Sequence, residues 1–358
     1  MTRGTAICCG IRSHYIKLAA LHRALGDGEG LVGPVSFIDL RQHYDVELGE
    51  RYRKWLGVHW DHVAAPPPAE LDAAGRAGHL FAEATRALQV RDPRVVVVFG
   101  DADASMLAAL AAFRAGRTVV HVEAGVRTGQ PTVEEQNRIV IDSVASAHCA
   151  SSSVDFDALC SEGLESSSVF TGDLVRDLVQ STNLDQADDW IAETLPDSFA
   201  LATLHRAENT AGPAILTEVL AGLRATGQPI VLVTTPRTRA ALREIPAELH
   251  PDLEFSGLDY PLMLAAVRSA RYFLTDSGAL QRESFYLRRR CLVRQDRAFW
   301  RVLIEAGVHR EVPASRRSIA DGCRWLDQRR DTAPQCDDFG NGDAGALIVA
   351  VLKALERS

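Results

Sequence analysis

The run Arg94–Phe99, RVVVVF, constrains the fold more than any other segment of the chain. Four successive valines leave no polar face for water, so a strand made from them must be covered on both sides. Strands of that kind belong to parallel sheets, where right-handed crossovers lay helices over both faces. The next segment supplies such a helix, with Met106, Leu107, Leu110 and Phe113 forming one apolar stripe within Asp103–Arg114. The alternation recurs along the chain. Thr5–Cys9 and Val35–Leu40 read as strands, and Tyr15–Leu25 reads as a helix carrying Leu18, Leu21 and Leu25. Val63–Leu71 contains Pro66, Pro67 and Pro68 and reads as an irregular loop. Thr118–Val122 is a strand followed by a long polar loop. Beyond Ser167–Asp173 the pattern restarts, with strands at Phe199–Leu204, Ile230–Thr234, Tyr272–Thr275 and Cys291–Arg294. Helices are expected at Pro213–Leu223, Leu262–Ser269 and Gly278–Leu287, and a last one within Asn341–Ser358. The expected fold is therefore α/β, with two doubly wound, Rossmann-like domains over residues 1–170 and 171–341.

Composition limits the partners. With 358 residues the chain exceeds one ordinary core of about 150. A hydrophobic content of 46% with 24% charged residues fits a globular protein. The net charge of -8 argues against a nucleic-acid partner, although one cationic pocket can sit inside an acidic envelope. No apolar run approaches the ~20 residues of a membrane span. The start, MTRGTAICCGIRSHYIK, lacks the sustained apolar stretch of a secretory signal. Cys8, Cys9, Cys149, Cys160, Cys291, Cys323 and Cys336 show no C-x-x-C spacing, so reduced thiols and a cytoplasmic location are expected. No metal-ligand spacing, P-loop or strand-linked G-x-G-x-x-G occurs, and neither metal nor cofactor is expected.

In parallel sheets ligands bind beyond the carboxyl ends of the strands. The residues at those ends are Gly10 and Arg12, Gly100 and Asp101, Glu123, His205 and Arg206, then Asp276, Ser277 and Gly278. Each has a plain structural reading as well as a chemical one. Asp101 can cap the helix that follows it. Glu123, at the end of a buried strand, needs either a partner or a purpose, and Arg127 is the nearest candidate partner. His205 can be an ordinary edge histidine. Asp276–Gly278 can be only a cap and turn, yet a Ser-Gly helix start also offers free N–H groups to an anion.

These residues fall within longer stretches that resemble one family. The run GDADASMLAALAAFRAGRTVVHVEAGVRTG at Gly100–Gly129, followed by EEQNR at Glu134–Arg138, is similar to the UDP-N-acetylglucosamine 2-epimerase family. So are GIR…IK at Gly10–Lys17, the TGD preceding the second domain, ATLHRAEN at Ala202–Asn209, LDY at Leu258–Tyr260 and LTDSGALQRES at Leu274–Ser284, all in the same order. The resemblance implies the two-domain fold shared with many glycosyltransferases. It also implies a site in the cleft between domains, a last helix (342–358) crossing back to the first domain, and a homodimer. Carried over by position, Arg12 matches a nucleotide-contacting arginine. Asp101, Glu123 and Glu134 match three acidic catalytic residues, and His205, with Arg206 beside it, matches a histidine at the diphosphate. Ser277 and Gly278 match a phosphate-binding helix start, and Glu283, with Gln281 beside it, a carboxylate that holds the ribose. The implied reaction inverts C2 of a nucleotide sugar by eliminating the nucleoside diphosphate to a glycal and adding it back.

The departures carry information as well. Ser13 and His14 stand where the family usually has Pro and Glu, and the loop before Glu134 is about three residues shorter than usual. Ala207 replaces an arginine, Thr234-Thr235-Pro236 displaces a histidine, and DRAFWRV at Asp296–Val302 replaces E-R-P-E. These changes predict a non-allosteric enzyme and a sugar or base other than that of UDP-N-acetylglucosamine, in specialised metabolism. Phe299 and Trp300 are candidates to pack against that sugar, or simple filler. The alternatives are a hydrolysing epimerase that releases free sugar, and a glycosyltransferase on the same fold.

Overall fold

The computed structural model describes residues 3–26, 31, 33–42, 46–295 and 298–357. Seven strands form the first sheet: β1 (Thr5–Cys9), β2 (Val35–Asp39), β3 (His62–Val63), β4 (Val95–Phe99), β5 (Thr118–Ala124), β6 (Ala147–Ala150) and β7 (Ser168–Phe170). Their order is β3-β2-β1-β4-β5-β6-β7, and every neighbouring pair is parallel. The second sheet contains β8 (Ala200–Thr203), β9 (Ile230–Val233), β10 (Leu253–Phe255), β11 (Tyr272–Thr275), β12 (Leu292–Val293) and β13 (Arg310–Glu311). Its order is β10-β9-β8-β11-β12-β13, again all parallel. In each sheet the order reverses at one place, between β1 and β4 and between β8 and β11.

The chain divides into two compact units, one ending at Leu178 and resuming at Asp338, the other running from Val179 to Asp337. In the first unit all five β4 side chains are fully buried, as their lack of a polar face requires. The helix Asp103–Arg114 packs Ala104, Leu107, Ala108 and Ala111 into the same core. The last helix, Ala344–Arg357, lies against the first, Arg12–Leu25. It is tied there by Thr5, whose hydroxyl donates to Glu356 at 2.8 Å, and by Asp177, which accepts from the Gly345 N–H at 2.7 Å. In the second unit the core gathers Leu216, Val219, Leu220 and Leu223 of the helix Pro213–Arg224 onto β8, β9 and β11.

Two expectations change. The polar loop after β5 is mostly regular structure, with helices Val133–Val144 and Ser153–Ser161 flanking β6. Its polar content is buried, because Glu135, Asn137, Arg138 and Asp142 all face inward and mask the apolar period. Strand β5 also runs on to Ala124, so Glu123 lies within the strand and not after it. The helices Val46–Leu56 and Ala73–Arg91 were not anticipated. The second begins where Asp72 caps it, accepting from the Gly75 N–H at 2.7 Å.

Candidate active site

The carboxyl end of β5 carries the most unusual backbone in the first unit. Pairing with β6 shifts register between Val122 and Ala124, and Glu123 has φ +70. A bulge with a non-glycine residue in the left-handed region costs about 1–3 kcal/mol and turns one side chain out of the alternation. The redirected Glu123 carboxylate accepts from the Lys17 ammonium, and both side chains are buried, 12% and 7% exposed. The expected partner, Arg127, goes elsewhere: it donates to Asp142 at 2.8 Å and to Glu162 at 2.7 Å. The pair lies over Gly100, where an added Cβ would stand 3.0 Å from Glu123 Oε2 and 3.2 Å from Lys17 Nζ. Gly100 itself has φ +60, which only glycine adopts without strain.

Asp101 follows that glycine. It does not cap the next helix, whose N-cap is Ala102 with no side-chain bond. Its carboxylate pairs instead with the buried Arg138. The helix Val133–Val144 thus grips Asp101 twice, since Asn137 also donates to the Asp101 carbonyl at 2.9 Å. Glu134 lies one turn before Arg138 on the same helix face and is exposed, without hydrogen bond or ion pair among the described residues. Its neighbour Glu135 is the buried one. Burial acts to raise its pKa, but the N–H groups of Thr128 and Gly129, the Thr128 hydroxyl and Arg138 outweigh it and hold the carboxyl low. Arg12 opens the first helix, half-buried, with its guanidinium 5.1 Å from the Tyr52 ring centroid.

The second unit builds its ligand edge around Asp276. This carboxylate is fully buried and accepts from the backbone N–H groups of His205 and Arg206, from Asn209, and from His205 Nδ1 at 2.8 Å. Burial works to raise its pKa, but the His205 ring and these donors prevail and hold it below the usual carboxylate range. With Nδ1 engaged, His205 offers Nε2 outward from a ring that is 44% exposed. The Arg206 Nε–H donates to the Asp276 carbonyl at 2.9 Å, so the edge of β8 is laced to the edge of β11. Thr203 and Thr275 hydroxyls, 2.7 Å apart, add a second stitch. Ser277 caps the helix Gly278–Tyr286, accepting from the Leu280 N–H at 3.4 Å. Trp300 Nε1 donates to the Gly278 carbonyl at 2.9 Å, and the Arg282 guanidinium lies 4.2 Å from the Trp300 ring centroid. Trp300 therefore supports this helix start, whereas Phe299 is half-exposed beside it. Asp296 and Arg297 of the same segment lie outside the described residues. Gln281 and Glu283 are both buried, and Gln281 Nε2 lies 3.4 Å from Gln295 Oε1. At 3.6 residues per turn these two side chains leave the helix on nearly opposite sides. Thr235 caps the helix Pro236–Leu242 in a reciprocal box with Thr238, which fills the loop of the displaced histidine.

The family model of UDP-N-acetylglucosamine 2-epimerase matches residues 34–353, nearly the whole of this arrangement. The chain belongs to the UDP-N-acetylglucosamine 2-epimerase family. Among relatives, the UDP-2,3-diacetamido-2,3-dideoxy-D-glucuronate 2-epimerase of Pseudomonas aeruginosa is 29% identical, over 97% of this chain and 98% of that one. The UDP-N-acetylglucosamine 2-epimerase of Methanocaldococcus jannaschii is 26% identical over 97% and 98%. A crystal structure of the M. jannaschii UDP-GlcNAc 2-epimerase with UDP-GlcNAc and UDP superposes with a TM-score of 0.84. It has 25% identity and covers 98% of this chain and 99% of that one.

Within this epimerase-family fold, the strand ends gather the residues singled out in the sequence into two groups. Gly100, Asp101 and Glu123 stand together at the β4 and β5 ends of the first unit, with Glu134 on the helix that holds Asp101. His205, Arg206 and Ser277–Gly278 stand together in the second. Sequence reading missed the residues that hold them: Lys17, His121, Arg138, Asp142 and Asp276 as a binding partner. Lys17 had a signal, because it shares the buried stripe of Tyr15–Leu25 with Leu18 and Leu21, where an unpaired ammonium would be costly.

Proposed function

We propose that this chain is a nucleotide-sugar 2-epimerase that inverts C2 by elimination and re-addition. A carboxylate of the first unit takes the C2 proton. The C2–H electron pair becomes the C1=C2 bond of a glycal, and the C1–O bond breaks with its pair on the departing nucleoside diphosphate. Return of a proton to the opposite face of C2, with diphosphate attack at C1, completes the inversion. C2 has no adjacent carbonyl, so the step depends on stabilising the leaving group as much as on the base. His205, Arg206 and the Ser277–Gly278 helix start would supply that stabilisation, and Arg12 and Glu283 would bind the nucleotide. Asp101, Glu123 and Glu134 would share the proton transfers.

The observation that carries this reading is the bulged, lysine-bonded Glu123 packed over Gly100 beside Asp101. A strained residue redirected toward a buried cation at a ligand edge supports a site there. The substrate class extends beyond N-acetylglucosamine, a breadth supported by the named activity of the P. aeruginosa relative. Incubation with a panel of nucleotide sugars in heavy water tests the reading. Deuterium at C2 of an epimerised product is expected for the right donor. Free sugar as the sole product would instead favour the hydrolysing route, and transfer to an acceptor without C2 exchange a glycosyltransferase.

A further inference from the structure

His121 lies in the middle of β5, fully buried, and its ring bridges two elements. Nδ1 is 2.6 Å from Asp142 Oδ1 and Nε2 is 2.8 Å from the Gly100 carbonyl oxygen. A carbonyl oxygen only accepts, so Nε2 carries hydrogen. Asp142 is ionised: burial works to raise its pKa, but His121 and Arg127 outweigh it and bring the carboxyl down to about 2. Its other oxygen already accepts from Arg127 Nη2 at 2.8 Å and from the Gly125 N–H at 3.3 Å. Each ring nitrogen therefore faces an acceptor oxygen, the Asp142 carboxylate at Nδ1 and the Gly100 carbonyl at Nε2.

The positions of the groups it touches suggest a purpose. The Gly100 carbonyl belongs to the peptide that leads into Asp101, and Gly125 follows Glu123 by two residues. We infer that the buried His121–Asp142 ion pair is a positioning clamp, which holds the chain before Asp101 and the chain after Glu123 at one spacing. Neither residue touches substrate in this account. The clamp acts through the two carboxylates, and so rests on the epimerase reading above. Three further contacts complete it: the Gly100 N–H donates to the Val122 carbonyl at 2.9 Å, Asn137 holds the Asp101 carbonyl, and Glu162 anchors the far side of Arg127. Once the ring loses its grip on Gly100, the Asp101 peptide is free to rotate, and misplacement by about 1 Å can cost on the order of 10²-fold in rate.

Two amide variants separate the two ring contacts, because an asparagine amide N–H falls near the Nδ1 position and a glutamine amide N–H near Nε2. His121→Asn should keep the Asp142 bond and lose Gly100. His121→Gln should keep Gly100. The expected result is a kcat fall on the order of 10²-fold in His121→Asn, with KM and the Kd for the nucleoside diphosphate little changed. His121→Gln should recover most of that loss, and a merely space-filling role would show as a stability loss without the kcat-against-KM split. Ring nitrogen NMR on the unsubstituted protein at the pH of activity supplies a readout independent of turnover and of variant folding. Both nitrogens protonated supports the clamp. A ring with one bare nitrogen, or His121→Asn with unchanged kcat, overturns it. Failure of the unsubstituted protein to exchange C2 with any donor would defeat the epimerase reading, while the ring measurement would still report on the ion pair.

Discussion

At the scale of single residues, the acidic groups of the first unit are set by their cationic partners. Glu123 has Lys17, Asp101 has Arg138, and Glu134 has no partner among the described residues. Ion pairing fixes where Glu123 and Asp101 stand, and the exposed Glu134 is open to meet a ligand. Replacing Glu123 with Gln should therefore abolish turnover while nucleotide binding, measured by calorimetric titration, stays within a few-fold. Lys17→Met should act differently. It strands a buried carboxylate and should destabilise the fold by about 3 kcal/mol, read from urea unfolding. The sequence pointed to Glu123 through its place beside a buried strand, but led to the wrong cation. Arg127 is four residues away in the chain, and Lys17 is brought in by the pairing of β1 with β4, which no local pattern reveals.

At the scale of elements, the strand ends determine the site. Gly100 is the joint at which β4 turns beneath the Glu123–Lys17 pair. Gly100→Ala would both strain a φ of +60 and push against the Glu123 carboxylate 3.0 Å away. The expected outcome is a stability loss of about 1 kcal/mol but a kcat fall of 10-fold or more, since the carboxylate must shift. The helix Val133–Val144 contributes Asn137 and Arg138 to Asp101 and Asp142 to His121. Because its inward residues are polar, it reads as loop in the sequence, and the functional content itself hid the element. The strands β4, β8 and β11 were legible because nothing interrupts their apolar runs. The lowered Asp142 pKa also has a consequence for acid stability. Its carboxyl lies at about 2 against an ordinary 3.8, because His121 and Arg127 overcome the upward pull of burial. A depressed value stabilises the fold above pH ~4 by about 2 kcal/mol, and this stabilisation is lost as the pH falls toward 2. Asp142→Asn should flatten that part of the stability–pH curve.

At the scale of the whole molecule, the two units repeat one plan. Each is a parallel sheet whose order reverses once, and the candidate residues stand at the strand ends at or next to those reversals. The alternation of apolar runs made this plan readable from the sequence, and the family motifs indicated its use. What the sequence concealed was the second layer of buried charges: His121, Asp142 and Asp276 carry polar side chains at positions that pattern alone assigns to core or turn. The last helix belongs to the first unit through Thr5–Glu356 and Asp177–Gly345. Truncation before Ala344 should therefore uncover the first helix and lower the unfolding temperature of the first unit, leaving that of the second unchanged in a calorimetric scan. The proposed reaction, in contrast, assigns the proton transfers to carboxylates of the first unit and the diphosphate to groups of the second. That division of labour requires the bond between C1 and the diphosphate oxygen to break in every catalytic cycle. The direct test uses a nucleotide sugar labelled with oxygen-18 at the atom joining C1 to the β-phosphorus. Label is expected to migrate to non-bridging positions of the recovered substrate and product, as the freed phosphate rotates before returning. Complete C2 inversion with the label still wholly in the bridge would contradict it.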